Sequence, residues 1–230
     1  MTVGKPTLYT SYICPWAQRA HVAVAETGFE VETVQIDLSK PREAWYLEIN
    51  PYGQVPALKN KDDDFVILES AIVAQYIAEL HPEAGLIVSD PKERAESNFL
   101  VHQFANRVQP AWVKVAYTTD KAKRAELEAE FVKQLRDFNS YLQKASHSTG
   151  KGPYTFGAKF TLADVQLGPL LSRFFLAERH QPGYKLPTKA SHPELARYFE
   201  WQDALLARPS VASTTADHEV LVNHTKKFVN

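Results

Sequence analysis

The stretch Ser11-Tyr12-Ile13-Cys14-Pro15-Trp16-Ala17-Gln18-Arg19 decides how the rest of the chain is interpreted. It follows a short apolar run that predicts a strand over Thr7 to Thr10, and it leads into a helical apolar spacing that stops at Gly28. Pro15 suits the first position of a helix, because the amide that proline lacks would have no partner there. Cys14 is therefore predicted to lie where a strand turns into a helix.

The position of Cys14 supports two interpretations. The unpaired amides and partial positive charge of a helix N-terminus favour a thiolate, which predicts a nucleophile with a pKa well below the ~8.5 of a free thiol. A lone cysteine is equally well explained as a small buried hydrophobic residue. Position alone leaves both interpretations open.

Length and composition limit the class of protein. The chain has 230 residues, enough for one large or two small domains, and 44% of them are hydrophobic. A formal net charge of −1 provides no basic field for nucleic acid, and no apolar run approaches the length needed to span a membrane. One cysteine excludes internal disulfides, and the histidines show no metal-ligand spacing. The first residues lack the apolar core of a secretory signal, so we expect a cytoplasmic protein without a metal.

Residues 1–82 predict an α/β domain. Helix-forming residues after Pro15 are followed by a β-branched run, Val31 to Leu38, which predicts a second strand. Two apolar runs, 57–58 and 65–68, flank a polar turn and predict a hairpin, after which a helix ends before Pro82. Strands separated by helices pair in parallel and a hairpin pairs antiparallel, so the expected fold is a mixed four-stranded sheet with helices on its faces.

The segment from His81 to Pro91 contains Pro82, Gly85 and Pro91, which predicts a linker over 83–91, and residues 92–230 predict an all-helical domain. The segment Asp90-Pro91-Lys92-Glu93 is typical of a helix start, and Pro110 is predicted to bend or end that helix. Apolar residues at spacings of three or four between Leu127 and Leu142 predict a buried helix face.

Further boundaries in the second half follow from caps and turn residues. Thr161-Leu162-Ala163-Asp164 forms a capping box before an apolar run, and a last helix is predicted over 193–207. A loop is predicted over 147–153. The triplet Asp62-Asp63-Asp64 resembles an acidic metal cluster, but it lies in the predicted hairpin turn and is better explained as solvated charge.

Four segments together resemble the motifs of the glutathione transferase superfamily, whose members combine a thioredoxin-like first domain with an all-helical second domain. A cysteine, a proline and an aromatic residue followed by arginine are similar to the omega class and its relatives, which include the lambda and dehydroascorbate reductase classes. The segments that carry the resemblance are Cys14 to Arg19, Asn50 to Leu58, Leu68 to Ile72 and Phe160 to Asp164.

The resemblance implies roles for individual residues. Cys14 replaces the tyrosine or serine of the conjugating classes and is implied to be the nucleophile. The backbone of Val55 is implied to pair with the cysteinyl part of glutathione, beside a cis Pro56. Lys40 matches a lysine that reaches a carboxylate of glutathione in omega proteins, although it could also be an ordinary exposed lysine.

Glu69 and Ser70 match the motif that binds the γ-glutamyl end of glutathione. A carboxylate suits the α-ammonium group, while a hydroxyl and the amides at a helix start suit the α-carboxylate. The alternative is a simple helix cap, but the preceding strand and the Val55-Pro56 segment favour binding. Arg19 is assigned to support of the fold rather than to contact with substrate.

The second domain is expected to provide a hydrophobic pocket for the electrophilic partner. Trp112 and Tyr117 follow the break at Pro110 and are candidates for its lining, with Trp201 as a further one. Trp16 either forms a wall of the site or fills the core, and the sequence does not choose.

The resemblance implies a glutathione-dependent thiol transferase or reductase that acts on mixed disulfides, dehydroascorbate or small glutathionyl adducts, with glutathione as co-substrate and a Cys14–glutathione mixed disulfide as intermediate. It also implies a homodimer. The alternative is a non-enzymatic binding or ligandin module, because the same fold serves in proteins without this activity. The physiological acceptor does not follow from the sequence.

Overall fold

The computed structural model describes residues 5–149 and 152–229, and for 146–149 only the backbone. The first four residues and part of the predicted loop at 147–153 lie outside this described part. No helix within it is long and apolar enough to cross a lipid bilayer.

A four-stranded mixed sheet forms the centre of the first half. Its strand order is β2-β1-β3-β4, with β1 parallel to β2 and antiparallel to β3, and with β3 antiparallel to β4. This arrangement confirms the predicted fold class, including the hairpin. The strands are β1 (Thr7–Thr10), β2 (Glu32–Gln35), β3 (Ala57–Lys59) and β4 (Val66–Ile67).

Three helices accompany the sheet, namely α1 (Pro15–Thr27), α2 (Ala44–Ile49) and α3 (Ser70–Leu80). Helix α1 begins directly after Cys14 and ends at Gly28, whose φ of 69° is the left-handed conformation that glycine adopts without strain. Its residues 17–23 are buried, and the helix packs against α3. The first half thus presents the start of α1 at the end of β1.

The second half is helical, apart from two isolated bridges between residues 154 and 159. Its helices are α4 (Pro91–Gln103), α5 (Gln109–Tyr117), α6 (Arg124–Thr149), α7 (Leu162–Leu171), α8 (Leu176–His180), α9 (Ala196–Ala207), α10 (Pro209–Thr214) and α11 (His218–Thr225). The side chain of Asp90 accepts the amides of Lys92 and Glu93, as expected for the start of α4. The last two helices carry no strong signal in the sequence.

Pro110 does not interrupt the chain of helices. A π-helical turn, Phe104–Val108, joins α4 to α5, and Pro110 occupies the first turn of α5. The wider turn just before the proline accommodates the missing amide, since π-turns relax the spacing of helix hydrogen bonds. The sequence predicts that Pro110 bends or ends the helix; the helix that precedes it ends earlier, at the π-helical turn, and α5 continues through the proline.

The capping box at Thr161 organises the middle of the helical half. The fully buried Asp164 accepts the amides of Thr161 and Thr155, each at 3.0 Å, and the indole N–H of Trp201 at 3.2 Å. The amide of Leu162 donates to the carbonyl of Leu86 at 2.8 Å, which ties the start of α7 to the segment before α4. One carboxylate thus orients a helix start, a loop and α9 at once.

A second tie joins α1 to the C-terminal helices. Arg208 donates from Nε and Nη2 to the two carboxylate oxygens of Glu26 at 2.8 and 2.6 Å, and the hydroxyl of Ser210 also donates to Glu26. The side chain of Glu26 is only 11% exposed. Burial alone would raise the pKa of this carboxyl group, but its bonds with Arg208 and Ser210 outweigh burial and lower it.

We expect Glu26→Gln to lower the free energy of unfolding by about 1.5–3 kcal/mol, because it removes charge-assisted bonds from a half-buried site. The folded-state pKa of Glu26 lies below its unfolded value of about 4.3. The contribution of the Glu26 carboxylate to the free energy of unfolding is therefore complete above the unfolded-state value, and it disappears as the pH falls through the folded-state pKa. Urea unfolding at pH 7 and at acid pH measures both effects.

The matched control is Asp203→Asn, which removes the carboxylate of an exposed ion pair with Lys189, at 2.6 Å. Exposed pairs contribute little, so this variant should unfold close to the wild type at every pH. Equal effects of the two variants, or a Glu26→Gln effect that persists below the folded-state pKa, would contradict the assignment.

Candidate active site

Cys14 lies at the N-cap of α1, in extended conformation with φ −83° and ψ 120°. Its Sγ atom lies 4.0 Å from the carbonyl oxygen of Val55, and the amides of Trp16 and Ala17 at the start of the helix face it. The sequence thus brings a sulfur atom to the unpaired end of a helix, as predicted. The local geometry suits a nucleophile that must carry negative charge.

The expected depression of the Cys14 pKa is not found. Burial raises the pKa of the thiol above its usual range, because the charged form loses its hydration. The amides of Ala17 and Trp16 and the positive charges of Arg173 and Arg19 oppose this effect without reversing it. The sequence indicated the helix end but not the extent to which other parts of the chain cover it.

A first cavity of about 480 Å³ opens beside Cys14 and is lined by charged and polar side chains together with apolar ones. Its size lies within the range of ordinary small-ligand sites. Five predicted residues line it together with Cys14, namely Trp16, Val55, Pro56, Glu69 and Ser70. Further lining comes from Asn50, Tyr52 and Gln54, which belong to the segment that carries the resemblance but received no role there, and from Arg42, which the sequence did not indicate.

The peptide bond between Val55 and Pro56 is cis, as the resemblance implied. The turn before it is held by two donors, since the hydroxyl of Tyr46 and the side-chain amide of Asn50 both bond to the carbonyl of Gln54, at 2.5 and 2.8 Å. Val55 is thereby held with its carbonyl toward Cys14. The carbonyl oxygen of Val55, next to the sulfur atom of Cys14, can therefore accept a hydrogen bond from the backbone of a bound peptide.

Glu69 has an unusual backbone. Its φ of 69° is in the left-handed region, which a residue with a side chain occupies only at a cost in energy. It is the N-cap of α3, yet its side chain makes no capping bond. The simple cap interpretation is therefore not supported by the contacts, and Glu69 lines the first cavity.

Arg19 joins the site in addition to supporting the fold. Its Nη1 donates to the hydroxyl oxygen of Ser70 at 3.2 Å, its Nε donates to the carbonyl of Gln166 at 2.9 Å, and its guanidinium stacks 4.5 Å from the ring of Trp16. The sequence assigned it to the fold alone. The Ser70 oxygen accepts the hydrogen bond from Arg19, and none of the hydrogen bonds among the described residues is donated by the Ser70 hydroxyl, which is therefore available to a ligand. Trp16 forms a wall of the first cavity.

Lys40 does not belong to the lining of the first cavity. Its ammonium group lies 3.8 Å from the carboxylates of both Asp37 and Glu43, in exposed surroundings. The nearby cation that does line the cavity is Arg42, whose Nε donates to the carbonyl of Gly53 at 3.0 Å. A planar guanidinium anchored at the rim is the better-placed group for a carboxylate.

A second cavity of about 290 Å³, which is mainly apolar, also includes Cys14 in its lining. The predicted Trp112 and Tyr117 line it, whereas Trp16 does not. Trp201 is fully buried among Phe104, Phe138 and Asp164 and takes no part. The lining also includes Leu38, Leu170, Leu176, Leu221 and Phe228.

Arg173 is the functional candidate that the sequence did not indicate. It lies two residues beyond α7, inside an apolar run that predicts only core, and it lines the second cavity with Cys14. Only 3% of its surface is exposed. A charged residue embedded in an apolar run was the one available signal, because buried arginine is uncommon unless it is paired.

The described part of the chain contains no cluster of three or more residues suited to hold a metal ion. In the acidic turn, Asp64 instead pairs with Lys59 at 2.7 Å and is largely exposed.

Comparison with known proteins agrees with this architecture. Residues 13–80 match the family described as the N-terminal domain of glutathione S-transferase, and residues 121–200 match its C-terminal domain. Glutathione S-transferase omega-1 of Sus scrofa is 26% identical over 215 residues, which cover 91% of this chain and 80% of the relative.

Two further glutathione transferases are similar to this chain over most of its length. The chloroplastic glutathione S-transferase DHAR3 of Arabidopsis thaliana is 25% identical, with 91% of this chain and 71% of the relative covered. The crystal structure of glutathione transferase Omega 1C from Trametes versicolor superposes with a TM-score of 0.80 at 26% identity, over 98% of this chain and 97% of the other. The chain belongs to the glutathione transferase superfamily, where it resembles the cysteine-type omega class.

Proposed function

We propose that this protein is a glutathione-dependent thiol transferase in which Cys14 is the nucleophile. The observation that carries the proposal is the position of Cys14 in the lining of both cavities, the first of which contains charged side chains while the second is mainly apolar. A substrate with a glutathione part and an apolar part would fill both cavities. Its connecting sulfur would then lie beside Sγ.

The reaction has two balanced steps. The Cys14 thiolate attacks the glutathionyl sulfur of a mixed disulfide, the substrate S–S bond breaks, and its electron pair leaves on the other thiolate, which takes a proton from water. Free glutathione, as its thiolate, then attacks the glutathionyl sulfur on Cys14 and releases oxidised glutathione. The chain has one cysteine, so no second protein thiol can perform this step. Dehydroascorbate and small glutathionyl adducts are further acceptors for the same site.

Glutathione occupies the first cavity in this proposal. Glu69 pairs with the α-ammonium group of the γ-glutamyl end, and Ser70, oriented by Arg19, donates to the α-carboxylate. The carbonyl of Val55 accepts the amide of the cysteinyl part, and Arg42 faces the carboxylate at the other end. Lys40 takes a minor role, since exposed carboxylates already surround its ammonium group.

A homodimer is the assembly that we propose. Phe65 and Ile72 are 52% and 54% exposed, and the ring of Phe65 lies 6.4 Å from that of Tyr76, one helical turn from Ile72. The three side chains form an apolar patch at the β4–α3 corner, which a second copy would cover. Isologous two-fold pairing is the commonest symmetry of soluble oligomers.

The first prediction concerns the intermediate. Oxidised glutathione added without reduced glutathione should leave one glutathione on the chain, which a reductant removes, as intact mass spectrometry would measure. Cys14→Ser should carry none, and it should lose thiol transfer because a hydroxyl is a far weaker nucleophile at neutral pH. Full thiol-transfer activity in Cys14→Ser would end the mechanism and favour a ligandin role.

The second prediction concerns affinity. Glu69→Gln should weaken glutathione binding by about 1.5–3 kcal/mol in calorimetry, because a charge-assisted contact is lost, while the thermal midpoint changes little. Glu79→Gln is the matched control, since Glu79 lies on the same helix and its carboxylate bonds only to Gln75 among the contacts of the described residues, at 2.7 Å. A collapse of stability with unchanged affinity would support a purely structural Glu69.

The third prediction concerns assembly. Sedimentation at micromolar concentration should give a species of twice the 26.0 kDa chain mass, and Ile72→Glu should shift it toward the single chain. Val220→Glu, which alters another exposed apolar residue far along the chain, should leave the assembly intact. A single-chain species in the wild type would contradict the proposed dimer.

A further inference from the structure

The second cavity contains a feature that an apolar pocket does not need. Arg173 lines it and is almost completely buried, at 3% exposure. The cavity lining contains no aspartate or glutamate, and no ion pair of Arg173 occurs in the described part of the chain. Buried charges are ordinarily paired, and while Cys14 is a neutral thiol Arg173 has no ionised partner among the residues that line the cavity.

The guanidinium of Arg173 is anchored on one side only. Its Nη1 donates to the side-chain oxygen of Gln18, to the carbonyl of Pro169 at 3.0 Å and to the hydroxyl of Ser172 at 2.7 Å. All three acceptors are neutral, so they hold the group in place without balancing its charge. The orientation of the side chain is therefore set before any ligand binds.

The other side of the group is unpartnered. Neither Nε nor Nη2 of Arg173 has a hydrogen-bond partner among the described residues. These two nitrogens form one edge of the planar group, and that edge has the spacing of the two oxygens of a carboxylate. The other arginines of the described part with a buried, unpartnered nitrogen, Arg19, Arg124 and Arg197, each leave only one atom free.

Apart from Cys14, whose thiolate form the charge of Arg173 favours, the titratable groups that line the cavity supply no negative charge. Burial lowers the pKa of His224, helped by the charge of Lys227, so its imidazole is neutral at pH 7. Burial also raises the pKa of Tyr117, which keeps its phenol neutral. Burial lowers the pKa of Arg173 to about 10, which leaves it fully charged. Arg173 is thus the fixed positive charge of this cavity lining.

We infer that the second cavity selects acceptors that carry an anionic group, such as a carboxylate, on an aromatic or aliphatic body, and that Arg173 binds this group through Nε and Nη2. The inference rests on the proposed function, because it assigns the acceptor half of that reaction. The apolar walls, including Trp112 and Leu176, enclose the body of the acceptor. A cation in low-dielectric surroundings attracts an anion far more strongly than it would in water.

The experiment compares two mixed disulfides of glutathione, one with 4-mercaptobenzoic acid and one with 4-methylbenzenethiol. They have similar shape but differ in charge. The measured quantity is the ratio of kcat/KM for the carboxylate over that for the methyl compound, divided by the same ratio for reaction with free N-acetylcysteine. We expect this normalised ratio to be about 10–100 in the wild type, as one charge-assisted bidentate contact provides.

Arg173→Met should reduce the normalised ratio to about one, and Arg173→Lys should retain part of the preference, since it keeps the charge without the planar edge. Arg197→Met is the matched control, because Arg197 is also a buried arginine but bonds to the carbonyls of Pro153 and Tyr154, away from both cavities. Its ratio should equal that of the wild type.

Each outcome is decisive. A wild-type ratio near one overturns the inference without any variant, even if Arg173→Met fails to fold. A preference that survives in Arg173→Met also overturns it, because another group then binds the anion. Absence of thiol transfer from both compounds in the wild type would instead contradict the proposed function, so the two failures are distinguishable.

Discussion

The site depends on how firmly helix α1 is held between the two halves of the chain. The side-chain amide of Gln18 donates to the carbonyl of Val211 at 3.2 Å and to the hydroxyls of Thr214 and Thr215 at 3.0 and 2.9 Å. Arg19 donates from the next position to the carbonyl of Gln166. Buried polar groups stabilise only when they are paired, so these bonds fix the rotation of α1 about its axis. Cys14 takes its position from that rotation.

Two neighbouring residues of α1 bond to residues that line different cavities. Arg19 turns toward Ser70 and the polar side, whereas Gln18 bonds to Arg173 on the apolar side. Neighbouring residues of α1 thus contact the lining of different cavities, Arg19 as part of the first and Gln18 through Arg173 of the second. The sulfur atom of Cys14 lies between them, where burial raises its pKa and both positive charges lower it. The fraction of Cys14 present as the reactive thiolate therefore depends on two opposing effects: exclusion of water lowers it, and the fixed positive charges increase it.

Local patterns account for the part of this arrangement that the sequence predicts. Proline after Cys14, the polar turn of the hairpin and the cap at Thr161 each act within a few residues, so the helix starts and the mixed sheet follow from short stretches. Long-range packing accounts for the rest. The free edge of Arg173 arises because Gln18, far away in the chain, occupies the opposite edge. The raised pKa of Cys14 likewise depends on the burial supplied by both halves.

The contacts of Gln18 also bear on the order in which the site is assembled. Its bond with Thr215 spans 197 positions of sequence, and Leu221 and Phe228 close the cavity beside Cys14 from still further along. Such distant pairings form late, because a long loop must be closed before they contribute free energy. During synthesis, the thiol is thus made long before the residues that form the second wall of its cavity. A nascent chain exposes a sulfur atom that the finished fold encloses.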